Sequence, residues 1–242
     1  MEQSHEAIIP PDEWEIVQLE MVRRKSRGLK YSGHSIFSSR IICGDCGEAF
    51  GSKVWNSTDK YRRTVWQCNG KYKGEHRCNT PHLDEEQIKE AFTQAFNSLI
   101  RNKAELIRNC RLVMERYTDC TEIDAQLSRL GDELDVVVGL TQRWVAENAK
   151  TAQDSDEFMI RYREYDARYE ELQGRIDELE ASKREGQDRV KRFEIFIRAL
   201  EKHCGELTEF DDSVWLAVID TVTVMPDGKL VFRFVNGMTA EE

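Results

Sequence analysis

Four of the seven cysteines in this chain of 242 residues stand at spacings that imply metal chemistry. Cys43-Gly-Asp-Cys46-Gly sets two thiols two residues apart, with Gly44 and Gly47 able to take the tight backbone turn that wraps both sulfurs around one ion. Cys68 and Cys78 supply a second pair. Four thiolates around one Zn2+ leave no open coordination position, so the expected site is structural, and its binding free energy is part of the folding free energy of a segment too small for a core. Nine residues separate Cys68 from Cys78, wider than the usual spacing, so His76 stands as a rival to Cys78. The competing reading, four free thiols or a redox pair, lacks an accompanying βαβ pattern. Cys110, Cys120 and Cys204 fall on helical patterns and read as apolar fillers.

The charge around these cysteines points to a partner. The formal net charge of -10 is an average over unlike parts: residues 21–80 hold 13 Lys and Arg against 4 Asp and Glu, a balance of +9, leaving -19 for the rest. Lys53, Lys60, Arg62, Arg63, Lys71, Lys73 and Arg77 interleave with Trp55, Tyr61, Trp66 and Tyr72, a mixture suited to phosphates and groove contacts. Arg23, Arg24, Lys25, Arg27 and Lys30 come before them, as in basic arms that follow a DNA groove. Either set alone is equally well solvated charge, but together, beside a zinc knuckle, they favour double-stranded DNA. The acidic remainder reads as solvated flanks. No Ser-His-Asp, paired-carboxylate or open-metal arrangement is visible, so the chain by itself is not expected to be an enzyme. No run approaches the roughly 18 apolar residues of a membrane span. An odd, clustered cysteine set without an apolar signal peptide fits the reducing cytoplasm.

The elements that must position these residues follow from periodicity. Residues 11–24 read as a short amphipathic helix presenting Trp14, Val17 and Met21, with Leu19 beside them, toward a partner surface. With no upstream element to cover that face, it is expected to be the tail of something longer, and residues 25–31 to be a basic linker. Residues 36–81 alternate β-branched or apolar runs with Gly, Asn and Asp, the mark of short strands and tight turns. Asp84 and the acidic Glu85-Glu86 open a helix along Ile88, Phe92, Phe96, Leu99 and Ile100.

Two coiled-coil seams follow. Ile123, Leu127, Leu130, Leu134, Val137 and Trp144 recur in steps of three and four with only Thr141 polar, and a second seam runs from Tyr162 to Cys204 with Lys183 and Gly186 as its polar interruptions. The turn-forming stretch 147–156 implies that the two helices fold back antiparallel, the second of about 48 residues spanning roughly 70 Å. Residues 211–219 read as a short helix, and Pro226-Asp227-Gly228-Lys229 as the turn of a hairpin that returns to the helix opened at Asp84. The expected class is α+β: a small zinc β-ribbon with a packed helix and a C-terminal β-hairpin, interrupted by a long antiparallel coiled-coil arm.

The order of these motifs resembles the C-terminal portion of large serine recombinases of the transposon and phage integrase type. The resemblance is carried by His5-Glu6-Ala7-Ile8-Ile9 and the Trp14 helix, by Phe37-Ser-Ser-Arg-Ile-Ile-Cys-Gly-Asp-Cys-Gly47, by Trp66-Gln-Cys68 and Cys78-Asn-Thr-Pro-His82, and by Val222-Thr-Val-Met-Pro-Asp-Gly. It implies the end of a recombinase domain and linker at 1–27 and a zinc ribbon domain at 28–120. A coiled-coil arm at 121–204 and a returning helix and hairpin at 205–242 complete the layout. It also implies that the ribbon binds half of an attachment site and that the arm makes contacts between subunits during synapsis. The catalytic serine domain and most of the recombinase domain would belong to the parent protein. Ser38 and Ser39 have no activating partner in view. A zinc-containing coiled-coil scaffold that binds no DNA is the alternative, and salt-sensitive DNA binding separates the two.

Overall fold

The computed structural model describes residues 9, 11–26, 35–72, 78–150, 155–203 and 205–242. In chain order the elements are α1 (Pro11–Ser26), β1 (Ile41–Cys43), β2 (Phe50–Trp55), β3 (Arg63–Cys68), β4 (Leu83–Asp84), α2 (Glu85–Ile100), α3 (Lys103–Thr118), α4 (Thr121–Asn148), α5 (Ser155–Lys202), α6 (Asp212–Val218), β5 (Ile219–Val224), β6 (Leu230–Phe234) and β7 (Thr239–Glu241). Helix and sheet are mixed, as the sequence implied. The chain divides into two compact units, one of residues 1–112 with 191–242 and one of residues 113–190.

The first unit is built on two small sheets. One has the order β2-β3-β4, antiparallel, with Phe50 opposite Cys68 and Trp66 opposite Leu83. The other has the order β1-β5-β6-β7, and β1 pairs with β5 in parallel, Ile41 opposite Val222. The C-terminal hairpin therefore adds directly to the strand that carries Cys43, a pairing across some 180 residues that sequence periodicity does not reveal. Gly228 at φ +93° makes the β5–β6 turn, as the Pro-Asp-Gly-Lys string suggested. β7 was not anticipated.

Between the sheets and α2 lies an aromatic core. Trp215 is fully buried and meets Phe37 at 4.9 Å and Phe92 at 5.1 Å, ring edge to ring face, while its indole N–H donates to the Ile36 carbonyl at 3.3 Å. Trp66 belongs to this core, 1% exposed and 5.8 Å from Phe37, and not to the surface on which the sequence placed it. The Asp84 backbone N–H donates to Gln87 Oε1 at 2.9 Å and starts α2, which buries Ile88, Phe92, Phe96 and Leu99. Asp211 caps α6 by accepting from the amides of Ser213 and Val214. One sequence expectation changes. α1 runs to Ser26, so Lys25 is helical and not linker; the helix opened at Asp84 ends at Ile100, as its apolar positions implied, and a separate α3 that the periodicity did not announce follows Arg101-Asn102.

In the second unit α4 and α5 run antiparallel. Leu130, Val137 and Leu172 are buried against Leu134, Tyr165, Ile176 and Leu179, and the pairs Arg168–Glu133 at 2.9 Å and Lys183–Asp124 at 2.5 Å flank them. The polar seam positions have local solutions. Thr141 donates to the Val137 carbonyl at 2.9 Å, and a side chain on Gly186 would meet the Tyr117 ring at 3.5 Å. The expected second seam does not hold one narrow stripe to its end. Ile195 and Phe196 are buried together with Phe193, Ile197 and Leu200, because this part of α5 enters the core of the first unit. Cys204 lies outside the described residues, as do residues 1–8 and 151–154, where the sequence implied a turn. Among the described residues no helix is long and apolar enough to cross a membrane.

Candidate metal centre and nucleic-acid surface

Cys43 ends β1, and the chain reverses at once. Gly47 N–H donates to the Cys43 carbonyl at 2.9 Å, Cys43 N–H to the Glu48 carbonyl at 2.8 Å, and Gly47 takes φ +75°, open to glycine at little cost. Gly44 serves differently. Its N–H donates to the Val224 carbonyl at 2.8 Å, and a Cβ there would lie 3.0 Å from that oxygen and 3.0 Å from Met225 Sδ. It lets β1 and β5 approach.

The β2–β3 register brings Cys68 beside Phe50, and Asn69 N–H donates to the Ala49 carbonyl at 3.0 Å, so Cys68 arrives next to the first knuckle. Cys78 joins from the segment before β4, held by the Asn79 amide donating to Asp45 Oδ2 at 3.0 Å. All four sulfurs lie within 4.8 Å of one another, with Cys43 and Cys78 at 3.2 Å and Cys46 and Cys68 at 3.3 Å.

This donor set fits zinc. Zinc–sulfur bonds of about 2.3 Å put the edges of a tetrahedron at roughly 3.8 Å, inside the observed spread. Cys43, Cys68 and Cys78 are buried and Cys46 is exposed. Thr80, fully buried, places its hydroxyl 3.3 Å from Cys43 Sγ and 2.9 Å from Cys78 Sγ, and the Gly70 amide donates to Cys68 Sγ at 3.3 Å. These groups surround the sulfurs with donors. Burial opposes ionisation of Cys43, yet the Thr80 hydroxyl, the amides of Cys46 and Asp45 and the Cys78 thiol outweigh it and bring its pKa down to about 6. Burial pushes the Cys68 and Cys78 thiols upward. Four sulfurs in one small volume cannot all ionise without a cation among them. His76 lies outside the described residues. Cys110 is buried on α3, where burial raises its thiol to about 11, and it stands apart from the cluster, as does Cys120.

The basic residues fall into three groups. Lys53 on β2, Lys60 and Arg62 in the β2–β3 turn, and Arg63 at the start of β3 are exposed. Arg63 lies 5.5 Å over the Trp55 ring and pairs with Asp84 at 3.2 Å, Lys60 lies 5.0 Å over Tyr61, and Tyr61 and Tyr72 are exposed. His82 packs edge-on to Trp55 at 4.9 Å, its pKa lowered by burial and by Lys71.

A second group is engaged inside the fold. Lys71 donates to the Thr80 carbonyl at 2.6 Å, tying the second cysteine pair together. Arg23 is 6% exposed and bonded to Glu20 and Ser39, and Arg24 pairs with Glu20 at 2.8 Å. Burial and pairing therefore remove Arg23 from the expected flexible arm, and Lys25 is the exposed cation at the end of α1. The third group, Arg27, Lys30, Lys73 and Arg77, lies outside the described residues.

Sequence reasoning missed Arg40, Glu20 and Thr80. The signal for Arg40 was present, a lone guanidinium in the otherwise uncharged string Phe37-Ser-Ser-Arg-Ile-Ile. The helical spacing of Glu20 to Arg23 and Arg24 was visible, but nothing marked its pairing with Arg40, 20 residues away.

With this geometry in hand, the comparisons with known proteins bear on one segment. Residues 36–97 match the family described as "Recombinase zinc beta ribbon domain". The match holds all four clustered cysteines, the three-stranded sheet and most of α2. That segment is similar to a recombinase zinc ribbon region. No curated protein matches the chain. A solved structure titled "Crystal Structure of a LSR-DNA Complex" aligns over 100% of this chain and 68% of its own, at 14% identity and a TM-score of 0.29, below the level that establishes a common fold.

Proposed function

We propose that this chain is the DNA-binding and synapsis region of a site-specific serine recombinase, gripping half of an attachment site with its zinc ribbon. The observation that carries the reading is the closed four-sulfur cluster inside the segment that matches the recombinase zinc ribbon family. Cys43, Cys46, Cys68 and Cys78 would hold Zn2+, which when bound supplies a cross-link and no open coordination position. The residues themselves do the rest. Lys53 on β2, Lys60, Tyr61 and Arg62 in the β2–β3 turn and Arg63 on β3, with Tyr72, face phosphates and the groove in this reading, joined by Lys73 and Arg77. Lys25, Arg27 and Lys30 extend the contact along the DNA. Arg23 and Lys71 act within the fold.

Residues 28–120 with 205–242 form the gripping domain in this reading, and 1–27 is the end of a recombinase domain with its linker. Residues 121–204 are an antiparallel coiled coil through which copies meet during synapsis. The exposed Val145, Met159 and Ile160 near its turn suit such contact. The chemistry of cutting resides in the parent's catalytic domain. Ser38 and Ser39 are buried, and Ser39 Oγ accepts from Arg23 at 2.6 Å, so neither is a nucleophile. The place of action is the cytoplasm.

The test is a gel-shift titration of the zinc-loaded chain with a pool of random-sequence duplexes, at rising salt, with and without a zinc chelator. Retention that weakens steeply with salt and vanishes with the metal is the expected result. Absence of any shift at low salt overturns DNA binding in favour of a zinc-containing scaffold. Binding that survives complete zinc removal breaks the link from metal to fold to DNA.

A further inference from the structure

We infer that Glu20 and Arg40 are positioning residues that fasten α1 to the strand carrying Cys43, so that the basic end of the helix is delivered at a fixed place beside the cysteine module. The consequence for DNA rests on the function proposed above; the fastening does not.

Arg40 is the hub. It is 3% exposed and immediately precedes β1, and its guanidinium donates to Glu20 Oε2 on α1 at 2.8 Å, to the Leu216 carbonyl on α6 at 3.2 Å and to the Ile219 carbonyl at the start of β5. Its own carbonyl accepts from Val222 N–H at 2.8 Å, so the same residue pins the β1–β5 pairing. Glu20 also accepts from Arg23 and from Arg24, each at 2.8 Å. Arg23 carries the chain of contacts on to Ser39, meeting its Oγ at 2.6 Å and its carbonyl at 3.3 Å. Ser39 is buried in the left-handed region at φ 66°, a strained conformation for a residue with a Cβ, and one that persists where its surroundings hold it.

The apolar stripe of α1 does not explain its placement. Trp14, Val17 and Met21 are 55%, 47% and 61% exposed, and Leu19 beside them is half-buried. The polar network, with a further pair between Arg198 and Glu15 at 2.6 Å, holds the helix. One carboxylate serves three guanidinium groups, so removing its charge leaves buried cations without their common partner, which is the costly way to break such a network. Lys25 stands in the turn of α1 after Glu20 and is exposed. Its distance to the exposed cations of β2 and β3 is fixed only while α1 stays docked.

The test uses the full, zinc-loaded chain and the near-isosteric variant Glu20→Gln. Amide exchange of residues 11–26 should quicken by about tenfold or more in Glu20→Gln, while zinc content is unchanged. Random-sequence duplex binding then gives a double-mutant cycle. Lys25→Ala alone should lower the salt slope by about one. In the Glu20→Gln background it should change neither slope nor affinity, because the lysine is no longer delivered.

Equal exchange in Glu20→Gln and wild type overturns the fastening. Additive effects of the two substitutions overturn the delivery. A wild-type chain that retains no duplex overturns the proposed function and the delivery with it, and exchange still decides the fastening.

Discussion

Glu20 meets the side chains of Arg23, Arg24 and Arg40 with its one carboxylate, and this contributes to the acid sensitivity of the first unit. Burial alone would raise its pKa. The Arg23 hydrogen bond, the charges of Arg40 and Arg23 and the Arg24 hydrogen bond outweigh it and lower the value from 4.5 to about 2. A carboxylate depressed on folding stabilises the native state fully above its unfolded pKa and loses that contribution as pH falls through the folded one. Wild type should therefore lose stability between about pH 4.5 and pH 2, and Glu20→Gln should be flatter across that window and weaker at pH 7 by on the order of 2 kcal/mol. Chemical denaturation of both proteins, compared as a difference at each pH, checks this and cancels losses they share. At the same scale a pair of variants tests the ligand that spacing left open. Cys78 lies in the sulfur cluster, so Cys78→Ser should abolish stoichiometric zinc binding and unfold the ribbon, whereas His76→Ala should keep one zinc per chain by metal analysis.

At the scale of elements, the two glycines of the first knuckle should fail differently. Gly47→Ala forces a side chain into φ +75°, where a Cβ meets nothing but the backbone is strained, a cost of about 1 kcal/mol. Gly44→Ala would drive a Cβ to 3.0 Å from the Val224 carbonyl, which backbone cannot easily relieve, so it should separate β1 from β5 and cost more. Thermal melting of the zinc-loaded variants ranks them, and equal losses would contradict this account of Gly44. The comparison also shows what the sequence could express. Knuckles, caps and the 226–229 turn were legible because each is a local string whose residues meet within a few positions. The parallel β1–β5 pairing, the Arg40 hub and the core position of Trp66 were not, since all three depend on segments that meet across long separations. The break at Arg101-Asn102 carries neither proline nor glycine to announce it. On the β2–β3 hairpin, legible as basic and aromatic, Lys60→Ala with Arg62→Ala should weaken duplex binding at every sequence and lower the salt slope by about two, with melting unchanged.

For the molecule as a whole, the division into two units predicts that damage to one spares the other. The heptad seam made α4 and α5 readable from sequence because a repeating apolar step needs only its own neighbours, yet past residue 190 the same step coexists with buried Ile195 and Phe196, and the helix serves a globular core. Leu172 lies well inside the second unit, fully buried against Leu130 and Val137. Leu172→Ala leaves a cavity there and should destabilise the helix pair by about 2–5 kcal/mol. If the units act separately, that variant keeps its zinc and its affinity for duplex DNA at concentrations where the chain is monomeric, while amides of residues 121–148 exchange faster. If the pair also mediates contact between copies, the variant loses self-association measured by sedimentation on DNA carrying two sites. Loss of zinc or of single-duplex affinity in Leu172→Ala would instead mean that the ribbon needs the helix pair in order to fold, because the long α5 belongs to both units and can transmit unfolding from one to the other.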